Sequence, residues 1–259
     1  MDVPNNHPSQ WKFSSPTTPG LHEIVSPENS ACTISWMYRL NLTSSHKERI
    51  HFPKRELCAY CVSGSIVVKN GSRVDALCQG DSLYAPGDTE LVITAKTDSF
   101  LYIGAGPFDG KGEYFVRPLD WTLPIGEIHQ IHGTPPFERE VFMTVNPEIC
   151  ASRLIAGITR GHPGGWTSWP PHQHTRDLEE IYCYFDIPFP KRAFHFSSRE
   201  QGRFEVIHPV STGDCVIAPE GYHPTVGTPG VRSTYFWVLV AHSPESRRYD
   251  LAISDPTFA

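Results

Sequence analysis

No apolar run in this 259-residue chain approaches the roughly 18–20 residues that a membrane-spanning helix needs, so a helical membrane protein is excluded. The opening residues, Met1 to Gln10, are polar and contain proline, with no secretory leader among them, and a cytoplasmic protein is expected. A basic field is missing as well. Lysine and arginine number 22 against 28 aspartates and glutamates, giving a net charge of −6, which leaves nothing to draw nucleic acid or an acidic membrane. Windows of helical periodicity rarely exceed two turns. The seven cysteines are an odd number, most of them inside apolar strand-like runs, and they read as buried reduced thiols. Cys58 and Cys61 form a CxxC with no second pair, and on a strand residues i and i+3 face opposite sides, so no zinc is expected there. Asn41-Leu42-Thr43 is a sequon without secretory context, and no glycan is expected on it.

The 24 prolines and 20 glycines are scattered, which suits many short strands joined by turns: an all-β chain long enough for one large domain or two small ones. An internal repeat decides between these. Gly80-Asp81 and Gly213-Asp214 are each followed by four residues ending in Ala, then Pro (Ala85-Pro86, Ala218-Pro219), and a polar turn before an apolar strand, at an offset of 133 residues. Upstream, Glu56 to Val62 loosely echoes Glu180 to Phe185, and Gly64 to Gly71 alternates and ends in Asn-Gly, a hairpin signal. Two copies of one β module follow, with an amino-terminal arm over 1–25, one module over 26–125 and a second over 126–259. The boundary falls in 118–135, where Pro118, Pro124, Gly126, Gly133, Pro135 and Pro136 crowd together. The Pro-rich arm is expected to pack on the surface or on a partner subunit, and with an exposed sheet edge it is compatible with a homo-oligomer.

The two copies differ where chemistry would sit. His172 and His174, two apart, share one face of a strand; Glu179 and Glu180 follow, and His223 comes after the second repeat. Three imidazoles and a carboxylate suit a divalent metal: Zn, Mn, Fe, Ni or Co. The first copy has only Arg49-Ile50-His51 before its acid and Asp88-Thr89-Glu90 where the second has Tyr222-His223, so it is expected to be structural. Taken singly, each histidine reads as a surface or turn residue, and His129, His132, His195, His208 and His242 are left in that class. Of the two acids, Glu180 shares its strand face with Tyr182 and Tyr184, while Ile181, Cys183 and Phe185 point the other way, which favours Glu180 as the ligand.

The pattern Gly-x6-His172-x-His174 followed by the acids, then Gly213-x5-Pro219-x-Gly221-x-His223, resembles the two signature motifs of the cupin superfamily. That likeness implies a bicupin, two tandem small barrels, with His172, His174, Glu180 and His223 on the inner wall of the second; Glu179 fits the commoner cupin spacing. The runs Leu154 to Thr159, Gly165 to His174, Glu180 to Pro188 and Ala193 to Phe196 are similar to those of the uronate isomerases. Members act on 5-deoxy-glucuronate in inositol catabolism or on 5-keto-4-deoxyuronate in pectin breakdown. The family's acid-x-Tyr pattern again selects Glu180. The resemblance implies a metal-dependent aldose–ketose isomerase, with Zn or Mn foremost and a small sugar acid as its partner. Tyr182, Tyr184 or an inward Glu179 would be candidate bases, Arg176 or Arg160 would hold the substrate carboxylate, and Trp166 and Trp169 would wall the pocket. The competing readings are a cupin dioxygenase and a non-catalytic sugar-binding bicupin.

Overall fold

Apolar residues at alternate positions, broken by Gly, Pro and Asp every few residues, favour strands over helices. The computed structural model describes residues 6–258 and contains 23 strands and three one-turn 3₁₀ helices; among those residues there is no α-helix, and no helix long and apolar enough to cross a membrane. Each module is a pair of sheets. In the amino-terminal module a four-stranded sheet (Lys47–Ile50, Leu91–Ala95, Ser65–Asn70, Arg73–Cys78) packs on a six-stranded one centred on Arg55–Ser63 and Ser99–Pro107. The carboxy-terminal module pairs a four-stranded sheet (Trp166–Thr167, Thr225–Gly227, Ala193–Ser197, Val206–Val210) with a seven-stranded one centred on Leu178–Tyr184 and Thr234–Ala241. No strand lies between Arg117 and His129, the stretch that joins them. The fold is the all-β cupin architecture expected from the sequence.

The repeat has a physical basis. Gly80 and Gly213 both sit at left-handed φ, 96° and 97°, where a side chain would be strained. The aspartates that follow close the same turn: Asp81 Oδ2 accepts from the Cys78 amide and Asp214 Oδ2 from the Ser211 amide, each at 2.8 Å. Pairing then fixes the register between copies. Leu57 is opposite Ala85 and Glu180 is opposite Ala218, so Leu57, not Glu56, occupies the place of Glu180, and Glu56 matches Glu179. The sequence echo of Glu56 with Glu180 is therefore one residue out of step, and one residue exchanges the two faces of a strand.

Glu56 and Glu179 do equivalent work across the junction. Glu56 accepts hydrogen bonds from the amides of Ser152, Arg153 and Leu154, which start strand Leu154–Gly161 of the other module. Glu179 accepts from the Thr33 and Ile34 amides and the Thr33 and Ser35 hydroxyls, just before strand Trp36–Leu42. The two large sheets lie face to face between these clamps, with Tyr60 stacked on Phe236 at 5.6 Å. A Cβ on Gly104 would lie 2.4 Å from Cγ2 of the fully buried, stiffly branched Val238. Gly104→Ala is accordingly expected to cost about 1–3 kcal/mol by overpacking, read as a lower midpoint in thermal or urea unfolding.

The arm is more deeply built in than a surface strap. Its first five residues lie outside the described range, but Trp11 is fully buried, Lys12–Ser14 pairs with Asp214–Ala218, and Gly20–Val25 pairs with Trp36–Leu42. An apolar Trp11 and Phe13 flanking Lys12 explain the docking. All seven cysteines are free. Cys58 faces the junction and Cys61 the amino-terminal barrel core; Cys78 and Cys150 are exposed.

Candidate metal centre and its pocket

His172 lies on the two-residue strand His172–Gln173, which is held by pairing with Ile253–Ser254 near the carboxy-terminal end of the described chain. His174 follows at the turn into Leu178–Tyr184, and His223 comes after the loop that follows Asp214–Ala218. Their ligand atoms all lie within 4.8 Å of one another. Each ring is oriented by a backbone carbonyl at Nδ1: Pro170 for His172, Leu178 for His174 and Gly221 for His223, at 3.1, 2.9 and 2.8 Å. That fixes the tautomer that leaves Nε2 free as a lone-pair donor.

Glu180 Oε2 is 3.2 Å from Nε2 of both His174 and His223. Burial raises the Glu180 carboxyl, and only N–H or charge on the adjoining His174 and His223 would hold it below its ordinary range; with their Nε2 lone pairs bare, that role falls to a cation. His172 is pushed down to about 3, first by burial and then by repulsion from His223 and His174, so it stands neutral, the form that ligates. His223 Nε2 is buried without a hydrogen-bond partner. Lone pairs and a carboxylate that meet in a buried place repel one another unless a cation lies among them. The donor set therefore fits a divalent metal ion by its own electrostatics.

His172, His174 and Glu180 of this cluster line a cavity of about 270 Å³, near the small end of ligand cavities. Leu178, Val141, Leu239 and Trp237 supply apolar wall, and Ser168, Thr159, Tyr182 and Tyr235 supply hydroxyls. Tyr249 and Ala252, near the end of the described chain, also line it. Of the expected bases, Tyr182 faces the cavity with its hydroxyl 3.0 Å from Ser168 Oγ. Tyr184 sits behind it, bonded to His195 Nδ1 at 2.8 Å and not part of the lining. Glu179 is turned to the module junction with both oxygens occupied, because it lies on the opposite face from Glu180.

The expected carboxylate binders stand elsewhere. The Arg176 side chain is 88% exposed beside Asp177. Arg160 is bonded to Glu140 at 2.5 Å and lies over Trp121, on the outer face of its strand. Trp166 and Trp169 pack on each other and on Phe196 and Phe258, in an aromatic cluster next to the cavity and not in its lining. The cation that does line the cavity is Arg139, on strand Arg139–Val145, with Gln130 and His132 beside it. His132, set aside in the sequence, is thus at the site. Arg139 and Val141 share a face two residues apart, and a cation in phase with a core valine was the available signal. Of the other histidines set aside, His129 bonds Glu140, while His195 and His208 are buried behind the cavity.

Among the described residues the amino-terminal barrel has nothing comparable. Leu57 is buried among Leu40, Ile66, Leu83 and Ile93 where Glu180 would be, and Arg49 and Glu90 form an exposed ion pair at 2.5 Å. Arg49 pairs with Val92 as Thr167 pairs with Thr225, positions equivalent by the repeat. From Arg49 the chain reaches Leu57 in eight residues, whereas Thr167 is thirteen residues ahead of Glu180; the added length carries the His-x-His.

Comparison with known proteins brings this geometry into a family. The model described as the KduI/IolB family matches residues 13–259. A 5-deoxy-glucuronate isomerase of Geobacillus kaustophilus is 30% identical over 169 residues, 61% of this chain and 58% of the relative, so the match spans under two thirds of that protein's length. A 4-deoxy-L-threo-5-hexosulose-uronate ketol-isomerase of Cereibacter sphaeroides is 25% identical over 209 residues, 75% of this chain and 69% of the relative. Among solved structures, an IolB-like protein from Salmonella typhimurium superposes with a TM-score of 0.80 at 20% identity, covering 95% of this chain and 97% of its own. A cupin 2 conserved barrel domain protein from Leptotrichia buccalis gives 0.53 at 13% identity, covering 85% and 88%. These two structures speak for the fold.

Proposed function

We propose that this chain, which belongs to the KduI/IolB family, is a metal-dependent aldose–ketose isomerase that converts 5-deoxy-glucuronate to 5-dehydro-2-deoxy-gluconate in the cytoplasm. The observation that carries the proposal is the convergence of His172, His174, His223 and Glu180 at a small, largely apolar cavity that His172, His174, Glu180 and Tyr182 line. These four residues would hold a divalent ion, Zn or Mn foremost. When bound, such an ion supplies Lewis acidity that makes the carbon beside a carbonyl acidic. The protein's own groups do the remainder. Leu178, Val141 and Leu239 keep water from the reacting carbons, which strengthens every polar contact inside. The Tyr182 hydroxyl, backed by Ser168 and through it by Tyr235, is placed to hold a proton that moves between neighbouring carbons or their oxygens. Tyr184, bonded to His195 behind Tyr182 and outside the lining, is assigned no contact with substrate.

The reading is tested by proton NMR of the metal-loaded protein with 5-deoxy-glucuronate in deuterated water, beside a His172→Ala control. The expected result is conversion by the intact protein alone, with deuterium gained at the migrating position. Conversion of 5-keto-4-deoxyuronate instead would move the protein to the ketol-isomerase branch of the family. Silence with both sugars, in protein shown to contain metal, would overturn the isomerase and favour an oxygen-dependent cupin reaction.

A further inference from the structure

Arg139 is a guanidinium with room to bind. It lines the cavity, its one protein hydrogen bond runs from Nη1 to the Trp169 carbonyl at 3.1 Å, and among the described residues no carboxylate lies within ion-pair distance of it. A guanidinium offers five N–H donors, so most of its capacity is unspent. Two acids flank it in sequence, Glu138 and Glu140, and neither pairs with it; Glu140 is on the other strand face and is already shared by Arg160 and His129. The one acid in the cavity lining, Glu180, is engaged by His174 and His223. Burial lowers the Arg139 pKa, and an uncompensated cation in a cleft is costly unless a ligand brings the opposite charge. Beside it, the Gln130 side-chain oxygen lies 2.7 Å from His132 Nε2, which presents a further polar edge to the same cavity.

We infer that Arg139, supported by Gln130 and His132, is the carboxylate-binding subsite of this pocket, and that it selects sugar acids over neutral sugars. The inference deepens the isomerase reading and rests on it for the identity of the reacting end: the carbonyl of the substrate lies toward the histidines and its acid lies at Arg139. A planar guanidinium matches a carboxylate with two parallel hydrogen bonds, which a lysine cannot reproduce. Trp169 acts through this arginine, since its carbonyl holds Nη1 and leaves the remaining donors facing the cavity.

The experiment compares intact metal-loaded protein with Arg139→Met and Arg139→Lys, using D-glucuronate and neutral D-glucose as binding probes by calorimetry, and 5-deoxy-glucuronate for kinetics. The expected result is a loss of about 10- to 100-fold in glucuronate affinity for Arg139→Met, with glucose binding unchanged. Arg139→Lys should recover part of the affinity, and KM for 5-deoxy-glucuronate should rise more than kcat falls. Equal affinity of wild type and Arg139→Met for glucuronate, or an equal loss for acid and neutral sugar, would overturn the subsite. If wild type discriminates acid from neutral sugar through Arg139 but converts no uronate, the subsite stands and the isomerase reading fails. The lysine variant keeps the test decisive should the methionine variant not fold.

Discussion

Replacement of His223 by alanine is expected to empty the centre of metal and lower turnover by at least about 10³-fold, read by metal analysis of the purified protein and by kcat. His223 is 1% exposed, its Nδ1 is fixed by the Gly221 carbonyl, and its Nε2 lies 3.2 Å from Glu180 Oε2, so its loss removes a ligand atom from the middle of the cluster. The loss should exceed that of any wall substitution, because the ligand set and the chemistry fail together. Unfolding stability of the metal-free protein should change far less, since removing one of three converging imidazoles relieves repulsion even as it opens a small void. A variant that retains full metal content and activity would show that the ion, if any, sits elsewhere.

Glu179→Ala is expected to act in the opposite sense. Its carboxylate takes two amides and two hydroxyls from Thr33, Ile34 and Ser35, at distances from 2.6 to 3.2 Å, in a place where it is 2% exposed. Truncation leaves the amides of Thr33 and Ile34 without their acceptor at a buried junction, a loss of about 3–5 kcal/mol. In a protein of this size that corresponds to a fall of on the order of 10 °C in the unfolding midpoint. Metal content and kcat of the folded fraction should stay within a few-fold of wild type at low temperature. A collapse of kcat with an unchanged midpoint would instead give Glu179 the chemical role that its sequence position suggested. Two adjacent glutamates are thus separable by experiment: one holds the modules together, the other completes the centre.

How much of this was legible depends on how local the information is. His172-x-His174, the alternation that sets Glu180 with Tyr182, and the Gly-Asp turns are written within a few residues, and the structure has them where strand periodicity puts them. Register was less legible: Glu56 looks like Glu180 in a row of letters, and only the cross-strand partners Ala85 and Ala218 show that it matches Glu179. The carboxylate-facing cation was not legible from the motif. Arg160 and Arg176 are near the histidines in sequence, but Arg160 points outward on its strand and Arg176 into solvent. Arg139 comes to the cavity because its strand pairs with Leu154–Gly161, and that adjacency is set by long-range pairing that no short window contains. The arm is a similar case, since its pairing with Asp214–Ala218 spans most of the chain.

The eight-residue step from Arg49 to Leu57, against thirteen from Thr167 to Glu180, bears on anyone who would design a second centre into the amino-terminal barrel. Substituting histidines at Arg49 and Glu90, beside the existing His51, and an acid at Leu57 would reproduce the letters of the motif without its geometry, because Arg49 is held in a ladder against Val92 and has no slack to turn inward. The acid at 57 would then be a bare charge in an aliphatic core. A working graft has to begin with inserted chain, and only afterwards with ligands.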